Sequence, residues 1–486
     1  MNIPESGVGI IYFSGFEQTI AANPDLIQVI EIEPQTFWYR LKNGLAAYAY
    51  DEASVDYLHS LQKPILFHGV GYPVAGSIAP DHIHLDCLHK MMDRLHPLTM
   101  SEHLSFNTLA LNGTNYNTNF LLPPLQTAAG IQTAVNGIKN YKQHFDIPFL
   151  FETGVNYLAP KPFELPDGYF VNEIAEQANC NILLDVHNIL ANEKNGRQKV
   201  TDYVKQLSHE RVTQIHLAGG FYFNGYYLDA HSGPSSDEVL ELFEAIVVQL
   251  PNLKVITFEM LPEYISLVPA KDITLQLEKM NAIWDKRGRK TRTPKTKQQQ
   301  TVSTANAPGV AEWEKTLGLL SIKRQVETES SLAIALRADK GLTVIQDLIE
   351  KFKGSLLVSS LKLSCRYLML SIGMDAFNAL LRDFWQTSVT KLFASDNGID
   401  FADYLLTQET LMRNTILKEL IVYEKASLQS FTENKTIVVN MSYNPLTMIS
   451  HLVERKIPVL MEQQDYEIEI TPDQGISDQV KTVFHS

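Results

Sequence analysis

Eight short apolar runs recur along the first part of the chain: GIIYF (9–13), VIEIEP (29–34), ILFHGVG (65–71), TMSEHLSF (99–106), FLFETGV (149–155), ILLDVHN (182–188), TQIHLAG (213–219) and KVITFEM (254–260). Their apolar character is largely continuous rather than alternating, which suits parallel strands buried on both faces. Segments with helical periodicity lie between them, such as LHKMMDRLH (88–96) and SDEVLELFEAIVVQL (236–250). Eight such strand–helix units predict an α/β fold, a TIM-type (β/α)8 barrel, over residues 1–285.

The pattern then breaks. KRGRKTRTPKTK (286–297) carries seven basic residues in twelve, and QQQTVSTANAPG (298–309) is small and polar. Neither has an apolar stripe, so 286–310 is expected to be a flexible linker. Beyond it, LTVIQDLIEKF (342–352), AFNALLRDFW (376–385) and LMRNTILKELIVYEKAS (411–427) have helical spacing. TIVVNMSY (436–443) and YEIEIT (466–471) alternate as strands. Residues 311–486 therefore predict a smaller α+β domain.

Composition adds exclusions. The net charge of −14 argues against a broad nucleic-acid surface, which needs a basic face. No apolar run is long and uninterrupted enough to span a bilayer; GSLLVSSLKLSCRYLMLSIG (354–373) carries Lys362 and Arg366. No signal peptide is evident at the N-terminus, and Cys87, Cys180 and Cys365 form neither a disulfide framework nor a zinc ribbon, so a reducing cytoplasm is expected. No nucleotide-binding glycine fingerprint appears; GVGYPVAG (69–76) has the wrong spacing. Twelve of the 14 histidines lie at or before His231, which separates the chemistry of the two parts.

In a barrel of this type the active site lies at the C-terminal ends of the strands. The third run ends in His68, the fourth in Glu102 and His103, the fifth in Glu152 and the sixth in Asp185, His187 and Asn188. The seventh gives His216 and the eighth Glu259; the segment after the seventh adds Asp229 and His231. One such residue is usually a hydrogen-bonded structural group or a helix cap. Four histidines and four acids converging on one cup are different, because burying uncompensated carboxylates costs several kcal/mol per ion. Divalent cations supply that compensation. Mixed imidazole and carboxylate donors suit zinc, iron or manganese. One zinc takes about four ligands, so this set implies two or three ions, with an acid such as Glu152 or Asp185 bridging. Asn188 ranks low as a neutral donor. His187, if the strand alternates through it, points away from Asp185 and lies behind the ligands.

HGVG (68–71), SEHLSF (101–106), FETGVNYL (151–158), LLDVHN (183–188), IHLAGG (215–220), DAHSG (229–233) and FEM (258–260) together resemble the multinuclear non-haem iron-dependent oxidases, whose best-known member serves methanobactin biosynthesis. The similarity covers roughly residues 7–285 and preserves motif order. It implies a TIM barrel with two or three irons, ferrous and ferric, using dioxygen as co-substrate to modify a residue, often cysteine, of a ribosomally made precursor peptide. It implies His68, His103 and Glu152 around one iron, and Glu152, Asp185, His216 and Glu259 around a second. Asn188, Asp229 and His231 match a third site. It also raises the standing of residues 311–486, which match in outline the separate partner that presents the peptide in this family.

Two positions depart from the pattern. His187 stands where many members carry asparagine. Leu261 stands where many carry an acid proposed as proton acceptor; Glu263 is the next acid but in another register, so the general base is left open. Rival readings are a divalent-metal isomerase or hydrolase of the xylose-isomerase or endonuclease type, which needs no oxygen, and a peptide-binding scaffold that has lost activity.

Overall fold

The computed structural model describes residues 3–42, 48–79, 82–111, 113–287, 307–326, 329–391, 393–459 and 463–472. Most of the basic and polar stretch expected as a linker, residues 288–306, lies outside them.

Eight strands close into a barrel: β1 (Gly7–Ile11), β2 (Val29–Ile32), β3 (Ile65–Gly69), β4 (Met100–His103), β5 (Phe149–Glu152), β6 (Asn181–Asp185), β7 (Val212–Ala218) and β8 (Val255–Glu259). Every neighbouring pair is parallel and follows chain order, with β8 closing onto β1. The continuous apolar runs are thereby explained: Ile10, Ile30, Phe67, Phe151, Leu184 and Phe258 are fully enclosed. Register sets the candidate site residues level with one another. His103 pairs with Glu152 across β4 and β5, and Asp185 with His216 across β6 and β7.

The sixth run ends sooner than its apolar pattern indicates. After Asp185 the chain turns at once into the helix Val186–Lys194, because the Asp185 carboxylate accepts the backbone N–H of Asn188 at 2.7 Å and caps the helix. His187 and Asn188 thus belong to the first helical turn. The strand alternation invoked to aim His187 away from Asp185 does not apply.

The chain packs as two units, divided differently from a single cut at the linker: residues 1–37 with 51–347, and residues 38–50 with 348–486. Residues 310–347 pack with the barrel. Trp313, on the helix Val310–Ser321, is fully buried and its indole N–H donates to the Pro123 carbonyl at 3.0 Å. Glu314 accepts from the Ser77 backbone N–H at 2.9 Å, in the loop after β3. Asp339 accepts from the Ala159 N–H at 3.0 Å and pairs with Lys161, both in the loop after β5. A side chain on Gly341 would meet the Tyr157 carbonyl at 2.0 Å, so only glycine permits this approach.

In the second unit, the hairpin Trp38–Arg40/Tyr48–Tyr50 joins the C-terminal helices, with Tyr39 packed on Phe431 at 4.5 Å and Arg40 paired with Asp396 at 3.2 Å. Leu361, Leu368, Phe384, Phe401 and Ile421 anchor its core. Two strands, β9 (Ile437–Tyr443) and β10 (Gln463–Ile470), pair antiparallel, as the alternation indicates. No single helix among the described residues is long and apolar enough to cross a membrane. The apolar stretch 354–373 is split between two helices, Lys340–Ser360 and Lys362–Ile372, bent by 114°.

Glu424, buried on the helix Thr415–Glu433, accepts the N–H groups of Leu363 (2.7 Å) and Ser364 (2.8 Å), orphans at the start of Lys362–Ile372. Burial pushes its carboxyl from 4.5 up to about 7. Between those values the folded unit keeps a proton that the unfolded chain releases, so stability is expected to fall as pH rises through that window. Denaturant unfolding followed against pH should show this slope in the wild type and a weaker one in Glu424→Gln. Equal slopes would contradict the assignment.

Candidate metal centre

The C-terminal ends of β3 to β8 bring the sequence-predicted residues into one cup. Donor atoms of His68, His103 and Glu152 lie within 4.8 Å of one another, as do those of Glu152, Asp185, His216 and Glu259. Either group can hold a metal ion, and Glu152 belongs to both. Its Oε2 stands 3.2 Å from His68 Nε2 and 2.7 Å from His103 Nε2, while its Oε1 stands 3.3 Å from His216 Nδ1. One carboxylate thus turns an oxygen to each group, the geometry of a bridge.

Asp229 and His231 stand beside them, on the segment after β7. Asp229 Oδ1 is 2.8 Å from His231 Nε2, and His231 Nδ1 is 3.3 Å from Glu259 Oε1. Asn188 donates its amide N–H to the Thr153 carbonyl at 3.3 Å, which leaves its Oδ1 as a donor atom. Asp229 and His231 lie toward the open side and are partly exposed, whereas Asn188, Asp185 and His216 are buried. Glu263, the acid weighed as a base, is exposed on the short helix Pro262–Ile265.

Unpartnered atoms test whether these residues fit a metal. Glu152 Oε2, Asp185 Oδ2, Asn188 Oδ1, His216 Nδ1, Asp229 Oδ1 and His231 Nε2 are buried and make no hydrogen bond. Several lie within hydrogen-bond distance of each other, yet their directions do not make a donor–acceptor bond. Buried polar atoms are ordinarily satisfied. Six orphans drawn from the nine expected ligands fit lone pairs available to cations.

The ring tautomers agree. Ser101 Oγ gives its own hydrogen to the Phe67 carbonyl (3.2 Å), so it accepts from His68 Nδ1 at 2.8 Å. The Gly69 carbonyl accepts from His103 Nδ1 at 3.0 Å. Both rings therefore offer the Nε2 lone pair to the cup.

Electrostatics point the same way. Burial, and then the neighbouring Asp229 and Glu152 carboxylates, push Asp185 well above its usual range. Burial disfavours a charged His103, but Glu152 beside it outweighs this and raises the ring to about 9. Without cations the cup must hold protons to offset its acids, and divalent ions can take their place.

Sequence reasoning passed over two acids in the second run. Glu31, on β2, is fully buried and accepts from His216 Nε2 at 2.8 Å. Glu33, just beyond β2, is buried near the cup; burial, with Glu259 close by, pushes it up to about 8. The available signal was two acids inside an otherwise apolar run. His187 also comes nearer than expected: its Nε2 donates to the Leu228 carbonyl at 3.2 Å and stands 4.0 Å from Asp229 Oδ1. Gly220 makes room for it, since a Cβ there would meet the His187 ring at 2.4 Å.

Comparison with known proteins adds the family. A UPF0276 protein of Psychromonas ingrahamii is 29% identical over 185 residues, which are 37% of this chain and 64% of that protein. Another from Chromobacterium violaceum is 29% identical over 184 residues, covering 38% of this chain and 65% of its own length. The chain thus spans just under two thirds of the length of these relatives. A xylose isomerase domain-containing protein of Salmonella typhimurium is 12% identical, with a TM-score of 0.38, over 58% of this chain and 99% of its own. That likeness is too distant to bear on chemistry. A family model described as RiPP precursor modification enzyme MbnB/TglH/ChrH matches residues 7–265, just over half of the chain and the whole of the cup. RiPPs are ribosomally synthesised and post-translationally modified peptides, and this chain belongs to that family of precursor-modifying enzymes.

Proposed function

We propose that this protein is a multinuclear iron-dependent oxidase that uses dioxygen to modify a residue, with cysteine the first candidate, of a ribosomally made precursor peptide. The observation that carries this reading is Glu152, which turns one oxygen to His68 and His103 and the other to His216. A bridging carboxylate suits two ions held close enough to act together. The imidazole and carboxylate donors suit iron, and family membership supplies the peptide.

In this reading His68, His103 and Glu152 hold one iron, and Glu152, Asp185, His216 and Glu259 hold a second. Asn188, Asp229 and His231 hold a third, more exposed one. Bound iron supplies one-electron chemistry with dioxygen at positions the protein leaves open. The chain's own residues do the rest. Ser101 and the Gly69 carbonyl orient His68 and His103, and the Asp185 cap on Val186–Lys194 fixes that carboxylate. The enclosed floor excludes water from Asp185 and His216, while the side bearing His103, Asp229 and His231 admits the peptide. Residues 311–486, which resemble the separate partner of this family in outline, serve as peptide-presenting partner in cis; of these, 348–486 pack in the second unit.

Oxygen uptake tests the reading. Iron-loaded protein is expected to consume dioxygen when given a cysteine-bearing precursor peptide encoded near its gene, with a mass change in that peptide. Chelated protein should not. Metal-dependent turnover of a sugar without oxygen would favour the isomerase alternative.

A further inference from the structure

Glu31 is a buried acid that the cup does not use as a donor. It sits on β2, while Gln214 and His216 sit two residues apart on β7. Those strands are separated on one side by β1 and β8, so the contact crosses the barrel interior. Glu31 Oε2 lies 2.8 Å from His216 Nε2, and Gln214 Nε2 donates to both Glu31 oxygens at 2.8 and 2.9 Å. Glu31 and His216 are both fully buried.

Gln214 Nε2 also stands 3.3 Å from His216 Nε2, but its shorter contacts are to the two Glu31 oxygens, and the other face of the ring favours a proton on Nε2. Nδ1 stands 3.3 Å from Glu152 Oε1 and 3.3 Å from Glu259 Oε2, yet it makes no hydrogen bond. A proton on Nδ1 would be directed at one of those oxygens. The hydrogen therefore belongs on Nε2, where Glu31 accepts it. Among the three rings of the two principal groups, His216 alone is backed by a carboxylate: His68 is backed by a hydroxyl and His103 by a backbone carbonyl.

We propose that Glu31 is a positioning residue for the metal centre, holding His216 in the tautomer whose Nδ1 faces Glu152 and Glu259 and strengthening that ring as a donor. The inference rests on the metal-centre reading and deepens it. It makes the two ion positions inequivalent, since only the Asp185/His216/Glu259 group has a carboxylate-backed histidine. Carboxylate partners behind metal-bound histidines typically matter by about 10–100-fold in affinity or activity.

The test is anaerobic Co2+ titration of the full chain, followed by d–d absorption and elemental analysis. Wild type is expected to take up cobalt in distinguishable steps. Glu31→Gln should weaken one step by about 10–100-fold and shift its absorption, leaving the other in place. Ser101→Ala should do the reverse. Glu31→Asp, which keeps the charge but shortens the reach, gives the same selective loss and serves if Glu31→Gln does not fold. Unchanged steps in a folded variant, or equal weakening of both, would overturn the proposal. Absence of any uptake by wild type would instead remove the metal-centre reading, and the proposal with it.

Discussion

Glu152→Ala is expected to empty both principal ion positions at once. Glu152 is the residue shared by the two donor groups. Its loss leaves His68 and His103 with two donors and the Asp185, His216 and Glu259 group with three. Removing a group that merely supports a ligand costs about 10–100-fold, so loss of a bridging ligand should exceed about 100-fold at each position. Activity should fall to background. His103→Ala touches one group and should cost one ion. Asp229→Ala lies outside both groups and should spare them. Glu152→Gln, close in volume, separates loss of charge from loss of packing. Iron retained at wild-type stoichiometry in folded Glu152→Ala would rule out the bridge.

Trp313→Ala is expected to destabilise the barrel unit by about 3–5 kcal/mol, the usual cost of deleting a large buried aromatic. Trp313 is fully buried, its indole N–H bonds the Pro123 carbonyl, and Leu317 one turn on is also fully buried. The same packing bears on truncation. Composition places a boundary at 310 and leads one to expect that removing 311–486 leaves a folded, metal-binding barrel. The packing leads to the opposite result. Such a chain loses Trp313, the Glu314 contact to Ser77 and the Asp339 contacts to the loop after β5. It is expected to be insoluble. Denaturant unfolding of Trp313→Ala within about 1 kcal/mol of wild type would contradict this.

The barrel was legible because its strands are buried on both faces and so read as continuous apolar runs. Six of the nine candidate donors, His68, His103, Glu152, Asp185, His216 and Glu259, were legible because each stands at or near the end of such a run, where a barrel concentrates its chemistry. What escaped has physical causes. Asp185 is both the last strand residue and a helix cap, so the run continued on paper through His187 and Asn188 where the chain had already turned. Glu31 carries no strand-end mark, because it lies within β2 and reaches His216 across the interior. The hairpin at 38–50 lies between two barrel strands in sequence but packs in the second unit, a matter of long-range contact that local pattern does not record. Residues 310–347 follow a polar stretch that looks like a boundary, yet Trp313 and Asp339 tie them to barrel loops. Composition marks where a chain is polar, not where its next helix packs.

In the proposed function, Glu152 joins two groups of donors into an iron centre. Elemental analysis of the full chain, purified under anaerobic conditions without added metal, tests it most directly. The expected result is two or three irons per chain, lost in Glu152→Ala. Zinc or manganese alone, with no activity gained on iron loading, would contradict it.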